Sequence, residues 1–115
     1  MDKNLSEIML KMIKISNGNR HDINHFLKVY TYAKTIAECE NVSQKERIVI
    51  EIAAIIHDIA CPLCREKYGN TNGKNQETEG VILAKNFLED IELSEEIKNR
   101  VIFLVANPAD PVFAV

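Results

Sequence analysis

Apolar residues recur at intervals of three and four along most of the chain, which is the spacing of one face of an α-helix. The first such segment begins at Leu5, and the polar, turn-forming cluster at residues 16–19 predicts its end. A second helix is expected to begin near Asp22 as its N-cap and to run to about Glu40. One face of this second helix would carry His25, Val29, Tyr32, Ala33 and Ile36.

The third helix has the clearest start signal in the sequence. Ser43 and Glu46 fit a capping box, in which a hydroxyl and a carboxylate bond the free N–H groups of the first turn. Apolar residues then surround the helix, which predicts a position at the centre of the domain. Pro62 lacks an N–H and disfavours helical backbone at the residue before it, so we expect it to limit this helix. The apolar residues are Ile48, Ile52, Ala53, Ala54, Ile55, Ile56 and Ile59.

The remaining sequence also favours helices. Residues 63–68 can form a short helical turn, residues 69–75 have the composition of a surface loop, and a further helix is expected over about 76–89. Ser94 predicts the N-cap of a last helix that stops around Asn107. We find no strand pair and no internal repeat. The sequence therefore predicts one all-α domain over residues 1–115, a compact bundle of about five to six helices.

Composition and charge exclude several functional classes. The chain has 115 residues, of which 46% are hydrophobic, and a net charge of −3 with no Trp, which argues against binding a nucleic-acid polymer. The most apolar stretch, residues 48–60, is too short to cross a bilayer and contains Glu51, His57 and Asp58, so no membrane partner is expected. Three cysteines and a start without a long apolar segment predict free thiols and a cytoplasmic location.

Two of the three histidines have chemically suggestive neighbours. His57 directly precedes Asp58 at the end of the most buried helix, and His25 lies on the predicted apolar face of another. Imidazole and carboxylate groups on apolar surface are costly unless they are hydrogen-bonded, ionised together or bound to a metal. Neighbouring helical residues point about 100° apart, so His57 and Asp58 reach one ion only near a helix end, which Pro62 indicates. Singly, such histidines are more often core residues bonded to a backbone carbonyl.

In combination, these residues resemble the HD superfamily of metal-dependent phosphohydrolases. His57, which begins the His-Asp pair, lies 32 residues after His25. A histidine followed at about this distance by a His-Asp pair matches the order of the family. A run over residues 66–80 is similar to small stand-alone bacterial HD proteins, and the resemblance covers about residues 20–105. The matching segments are His25-Phe26-Leu27-Lys28-Val29 with Ala33, Ile36 and Ala37, and Ala53-Ala54-Ile55-Ile56-His57-Asp58-Ile59.

The resemblance implies a metal site and a reaction. His25, His57 and Asp58 would hold one divalent metal ion, either Mn, Fe, Co, Ni or Zn, since imidazole ligands argue against Mg. The implied reaction is hydrolysis of a phosphorylated small molecule or nucleotide by a metal-activated water, with Asp58 and His57 as the catalytic pair. Asp58 would act as a metal ligand or would orient the water. Family members with two metals have an extra histidine where this chain has residues 76–77, Gln-Glu, which favours one metal.

Other residues near these motifs have open roles. Lys28 and Lys74 are the candidates for binding the substrate phosphate, and Arg65 and Lys67 are weaker ones. Glu77 and Glu79 either support an imidazole or favour a helix N-terminus through their charge. The pair Cys61 and Cys64 forms a CxxC motif, which is read as a redox dithiol, as half of a zinc site or, preferably, as two buried small residues.

The C-terminal sequence departs from the family pattern. The distal aspartate of the family comes from a helix after residues 101–105, whereas here Asp110 is the only acid after Glu96 and stands between Pro108 and Pro111. We therefore expect the last helices of the family to be missing and the metal affinity to be lowered. We also expect the apolar surface that those helices would cover to be exposed and to favour a homodimer. Two alternatives stay open: a catalytically impaired HD-like module that binds metal or nucleotide, and a purely structural helical domain.

Overall fold

The computed structural model describes residues 3–107, and within them the chain forms six α-helices and no strand. This confirms the predicted all-α class. No helix in this part of the chain is long and apolar enough to cross a membrane. Asp110 and the rest of the C-terminal tail lie outside the described residues. The helices are α1 (Lys3–Ile15), α2 (Arg20–Cys39), α3 (Gln44–Ile56), α4 (Cys61–Tyr68), α5 (Gly73–Leu88) and α6 (Glu95–Ala106).

Helix α3 is the centre of the bundle, as its apolar composition predicts. It packs against α1, α2 and α6, and its side chains from Ile52 to Ile56 are all completely buried. Its N-cap is Ser43, whose hydroxyl accepts a hydrogen bond from the backbone N–H of Glu46 at 3.2 Å. The C-terminal half of α3, residues 51–56, is buried on all sides and is a rigid support for a residue at its end. The first metal-ligand candidate after it, His57, is its C-cap residue.

Helix α2 begins earlier and buries a different face than predicted. Its N-cap is Asn19, whose side-chain oxygen accepts from the backbone N–H of Asp22 at 3.0 Å, so Asp22 lies inside the first turn. Of the predicted face, Tyr32 and Ile36 are exposed and Ala33 is buried. The sequence of α2 carries two apolar stripes, and packing against α3 favours the one whose alanines permit close approach. The buried stripe is Phe26, Tyr30, Ala33 and Ala37.

The chain between α3 and α4 corrects the expected role of Pro62. Helix α3 ends at Ile56, well before the proline, and residues 57–60 form a turn. Pro62 instead occupies the first turn of α4, where a missing N–H has no helical partner to lose. Helix α4 then ends at Gly69, whose φ of 73° is the left-handed conformation that glycine adopts without strain. The predicted helix break is real, but it lies at His57.

Helix α5 starts at Gly73, three residues before the predicted position. The side-chain oxygen of Asn72 caps it by accepting from the backbone N–H of Asn75 at 3.0 Å. A cap followed directly by glycine is a weak sequence signal, so the predicted loop over residues 69–75 is too long. Within α5, a Cβ atom added at Gly80 would lie 3.4 Å from Val105 Cγ1, so α5 packs closely on α6. Ser94 caps α6 as predicted.

Candidate metal centre

The structure brings His25, His57 and Asp58 together. The Oδ2 atom of Asp58 lies 3.0 Å from His25 Nε2 and 3.1 Å from His57 Nε2. One ligand atom from each of the three residues lies within 4.8 Å of the other two. Within residues 3–107 this is the only cluster of three or more His, Cys, Asp or Glu residues with that proximity. The cluster joins an early turn of α2 to the end of α3.

The end of α3 explains how adjacent residues meet at one point. His57 is the C-cap, with helical backbone angles (φ −58°, ψ −30°), and Asp58 belongs to the turn that follows. Two backbone bonds fix this turn: Ile59 N–H donates to the carbonyl of Ile56 and Cys61 N–H donates to that of Asp58, both at 3.0 Å. The turn removes the angular separation of successive helical side chains. The two side chains therefore face the same space, which is what binding of one shared ion would require.

A backbone carbonyl fixes the orientation of His57. Its Nδ1 atom lies 2.8 Å from the carbonyl oxygen of Ala54, while its Nε2 atom faces Asp58. A neutral imidazole has one N–H, so it can donate to only one of these two acceptors. The other nitrogen then presents a lone pair to an oxygen unless a proton or a cation lies between them. A histidine that binds a metal through Nε2 and donates from Nδ1 to a backbone carbonyl has this arrangement. Two imidazoles and one carboxylate are ligands that fit a divalent ion.

The charges of His57, Asp58 and His25 are coupled to one another. Burial of His57 acts to lower its pKa, but the hydrogen bond and the charge of Asp58, together with Ala54, outweigh burial and raise the pKa. Burial of Asp58 acts to raise its pKa, yet the hydrogen bonds and charges of His57 and His25 lower it. The metal-free cluster is thus an anionic carboxylate that attracts positive charge. His25 is about half exposed, at 47% of its side chain, and does not lie on a buried apolar face as predicted.

Two interactions around the cluster were not predicted from the sequence: the ion pair of Asp22 with Arg65, and the contact of the Ala54 carbonyl with His57. Asp22, one turn before His25, lines a small recess together with His25, Asp58 and Pro62. Asp22 also forms an ion pair with Arg65 of α4. Neither the Arg65 pair nor the Ala54 carbonyl has a sequence signal, since both depend on how α3 ends and α4 packs.

The remaining candidate residues lie in varied surroundings. Lys28 is exposed, with its Nζ atom 5.9 Å from the centre of the Tyr32 ring. Lys74 is exposed in the first turn of α5, and no hydrogen bond or ion pair within residues 3–107 joins it to the cluster. Glu79 accepts hydrogen bonds from Lys67 and Tyr68, both at 2.8 Å, and therefore ties α4 to α5.

The cysteines of the CxxC motif are free thiols outside the ligand cluster. Cys64 is completely buried and Cys61 is half-buried. Burial, with the charges of Asp58 and Asp22, raises the pKa of Cys61 to about 12. A thiol that stays protonated is a poor nucleophile and a poor metal ligand. This favours the interpretation of the pair as small packing residues.

The described residues form a helical domain that gathers two histidines and an aspartate, a set of possible metal ligands, near the end of its central helix. Comparison with known families matches the HD domain over residues 22–107, so this chain belongs to the HD domain family. A curated relative, an uncharacterised protein of Acanthamoeba polyphaga mimivirus, is 34% identical over 62 residues, which cover 52% of this chain. The chain matches only 25% of the viral protein. No solved structure matches.

Proposed function

We propose that this protein is a metal-dependent phosphohydrolase that cleaves a phosphorylated small molecule or a nucleotide. One divalent metal is held by His25, His57 and Asp58. The observation that carries this proposal is the convergence of three ligand atoms within 4.8 Å, with the orientation of His57 fixed by Ala54. Membership of the HD domain family supports the reaction class.

The ligand set narrows the choice of metal. Two imidazole nitrogens and one carboxylate oxygen suit Mn, Fe, Co, Ni or Zn, whereas Mg favours oxygen ligands. Three protein ligands leave coordination positions for water and substrate, as in catalytic zinc sites. The partial exposure of His25 leaves the cluster accessible from solvent.

The metal, when bound, supplies Lewis-acid activation of the phosphoryl group and of the water that attacks it. The protein's contribution is positioning. The ionised Asp58 either ligates the metal or accepts a hydrogen bond from the attacking water, and its lowered pKa keeps it anionic for both roles. His57, held by Ala54, keeps its Nε2 atom directed at the centre. Lys28, on the turn after His25, and Lys74 remain candidates for contacting the substrate phosphate.

A second candidate is a catalytically impaired HD-like module that binds metal or nucleotide. The observation that favours it is the ligand count, because the described residues supply three ligands and no distal aspartate. Asp110, the possible substitute, lies outside residues 3–107. A missing anionic ligand lowers metal affinity and leaves the site more open.

Turnover measurements separate these candidates. The protein is loaded in turn with Mn, Co, Ni and Zn and assayed against a panel of phosphate monoesters and nucleotides. Asp58→Asn is the test variant, and Asp90→Asn is its matched control because Asp90 pairs with Lys11 on the exposed surface. We expect metal-dependent phosphate release that Asp58→Asn abolishes and Asp90→Asn retains. Metal uptake without turnover contradicts the enzyme and favours the binding module; neither uptake nor turnover favours a structural domain.

A further inference from the structure

An ion pair ties the first turn of α2 to α4 beside the candidate metal centre. Arg65 Nη1 lies 3.3 Å from Asp22 Oδ1, and Arg65 Nη2 donates to Asp22 Oδ2. The Asp22 side chain is only 15% exposed, whereas 41% of the Arg65 side chain is exposed. The acid is thus embedded in the fold, while the guanidinium that it holds remains accessible to solvent.

The acid of this pair, Asp22, lines the small recess that His25 and Asp58 also line. Asp22 is one turn before His25 on α2. The thiol of Cys61, in the first turn of α4, is influenced by the charges of Asp58, Asp22 and Arg65 together. These charged groups therefore lie near the start of α4, where the chain leaves the candidate ligand Asp58.

The guanidinium has unused donors in this position. It carries five N–H groups in a planar fork, and the two bonds to Asp22 use only part of them. Such a fork binds the oxygens of phosphate in a bidentate manner. Another basic side chain nearby, Lys67 on α4, is bonded to Glu79 and so faces α5. Arg65 is therefore the basic residue whose ion pair joins it to an acid that lines the recess.

We propose that Arg65 forms an anion subsite beside the metal centre, which binds the non-bridging oxygens of the substrate's phosphoryl group. This inference rests on the proposed function for its substrate class. Asp22 and Asp58 make the metal-free recess acidic, so Arg65 supplies positive charge that a phosphoryl group needs there with or without the metal. The alternative is a purely structural role, in which the ion pair only holds α4 against α2.

The chain offers a matched control for the structural account. Arg47 on α3 pairs with Glu38 near the other end of α2, with Nη2 3.0 Å from Oε1, and its side chain is 36% exposed. Both arginines thus pair with an acid of α2 from another helix, and the exposure of both guanidinium side chains limits what either pair contributes to stability. Arg65→Met and Arg47→Met remove equivalent groups, but only Arg65 pairs with a residue that lines the recess.

Binding of inorganic phosphate is measured by isothermal titration calorimetry on the full chain. Each variant is titrated after loading with Mn²⁺ and again after treatment with a chelator, and its metal content and melting temperature are recorded. We expect Arg65→Met to raise the phosphate Kd at least tenfold, about 1.4 kcal/mol, while its metal content equals that of the wild type. Arg65→Lys, which keeps the charge but not the fork, should have an intermediate Kd, and Arg47→Met should leave the Kd unchanged.

The outcomes distinguish this inference from the proposed function. Equal phosphate affinities for Arg65→Met and Arg47→Met overturn the anion subsite, even if both proteins hold metal. A wild type that takes up no metal contradicts the proposed function. In that case the titrations of the chelator-treated proteins still decide the subsite, because an affinity loss confined to the Arg65 variants supports it and its absence overturns it.

Discussion

The Nδ1 atom of His57 lies 2.8 Å from the carbonyl oxygen of Ala54, one turn earlier in α3. This bond uses a carbonyl that has no helical partner at the C-terminal end of α3, and it fixes which ring nitrogen faces Asp58. The contact thus lies where the helix ends and orients the candidate ligand. A site built on the end of the buried central helix keeps its geometry without support from flexible loops.

The coupling of His57 with Asp58 predicts a pH dependence of stability in the metal-free protein. The pKa of Asp58 is lowered from 3.8, so its contribution to stability is present above that value and is lost on acidification through the folded pKa. The pKa of His57 is raised from 6.5, so its contribution is complete below 6.5 and is lost as the pH rises through the folded pKa. Both contributions to stability are therefore present together between pH 3.8 and pH 6.5.

Thermal unfolding of chelator-treated protein tests this expectation. The melting temperature of the wild type should exceed that of Asp58→Asn most clearly between pH 4 and 6.5, the interval set by the two ordinary pKa values. The difference should shrink towards pH 8. A difference that stays constant over this whole range contradicts the ionised pair. With metal present, affinity should instead rise with pH, because the metal displaces the proton of His57.

The central position of α3 predicts a strong dependence of stability on its side chains. Ile52 is completely buried, so Ile52→Ala should lower the free energy of unfolding by about 2–5 kcal/mol through lost contacts and a cavity. Ile82 on α5 is 57% exposed, and Ile82→Ala should change stability little. Urea denaturation of both variants provides the comparison. Equal effects at the two positions would place the core elsewhere.

Local signals in the sequence predict the helices better than they predict faces and ends. Ser43 and Ser94 mark their caps correctly because a hydroxyl before an acidic first turn acts within four residues. The buried face of α2 is predicted wrongly because Tyr32 and Ile36 have the same periodicity as the buried stripe, and only packing against α3 decides between them. The metal-ligand candidates are predictable from the family resemblance, whereas the Arg65–Asp22 pair is not, since it depends on where α4 lies.

The raised pKa of Cys61 predicts low thiol reactivity. At pH 8, iodoacetamide should alkylate Cys39, which is exposed, well before Cys61, whose pKa of about 12 leaves almost no thiolate, or Cys64, which is buried. Mass spectrometry of peptides from briefly treated native protein gives the order of modification. Alkylation of Cys61 as fast as Cys39 would show that the start of α4 is more open than described.

Self-association remains a prediction from exposed apolar surface. Tyr32 and Ile36 lie one turn apart on α2 and are 50% and 43% exposed, and Phe103 on α6 is 49% exposed. We expect a homodimer that Ile36→Lys weakens, because a charge on this surface opposes its burial. Light scattering at tens of micromolar protein measures the mass directly. A wild type that is entirely monomeric under these conditions contradicts the expectation.

The metal content of the purified protein tests the proposed centre at His25, His57 and Asp58 without an assay of turnover. The wild type, His57→Ala and His21→Ala are incubated with Mn, Ni or Zn salts, dialysed and submitted to elemental analysis. His21 is a matched control because its side chain is 91% exposed and lies outside the ligand cluster. We predict about one metal ion per chain in the wild type and in His21→Ala, and almost none in His57→Ala. No metal in the wild type, or an equal amount in His57→Ala, would contradict a metal centre at His25, His57 and Asp58.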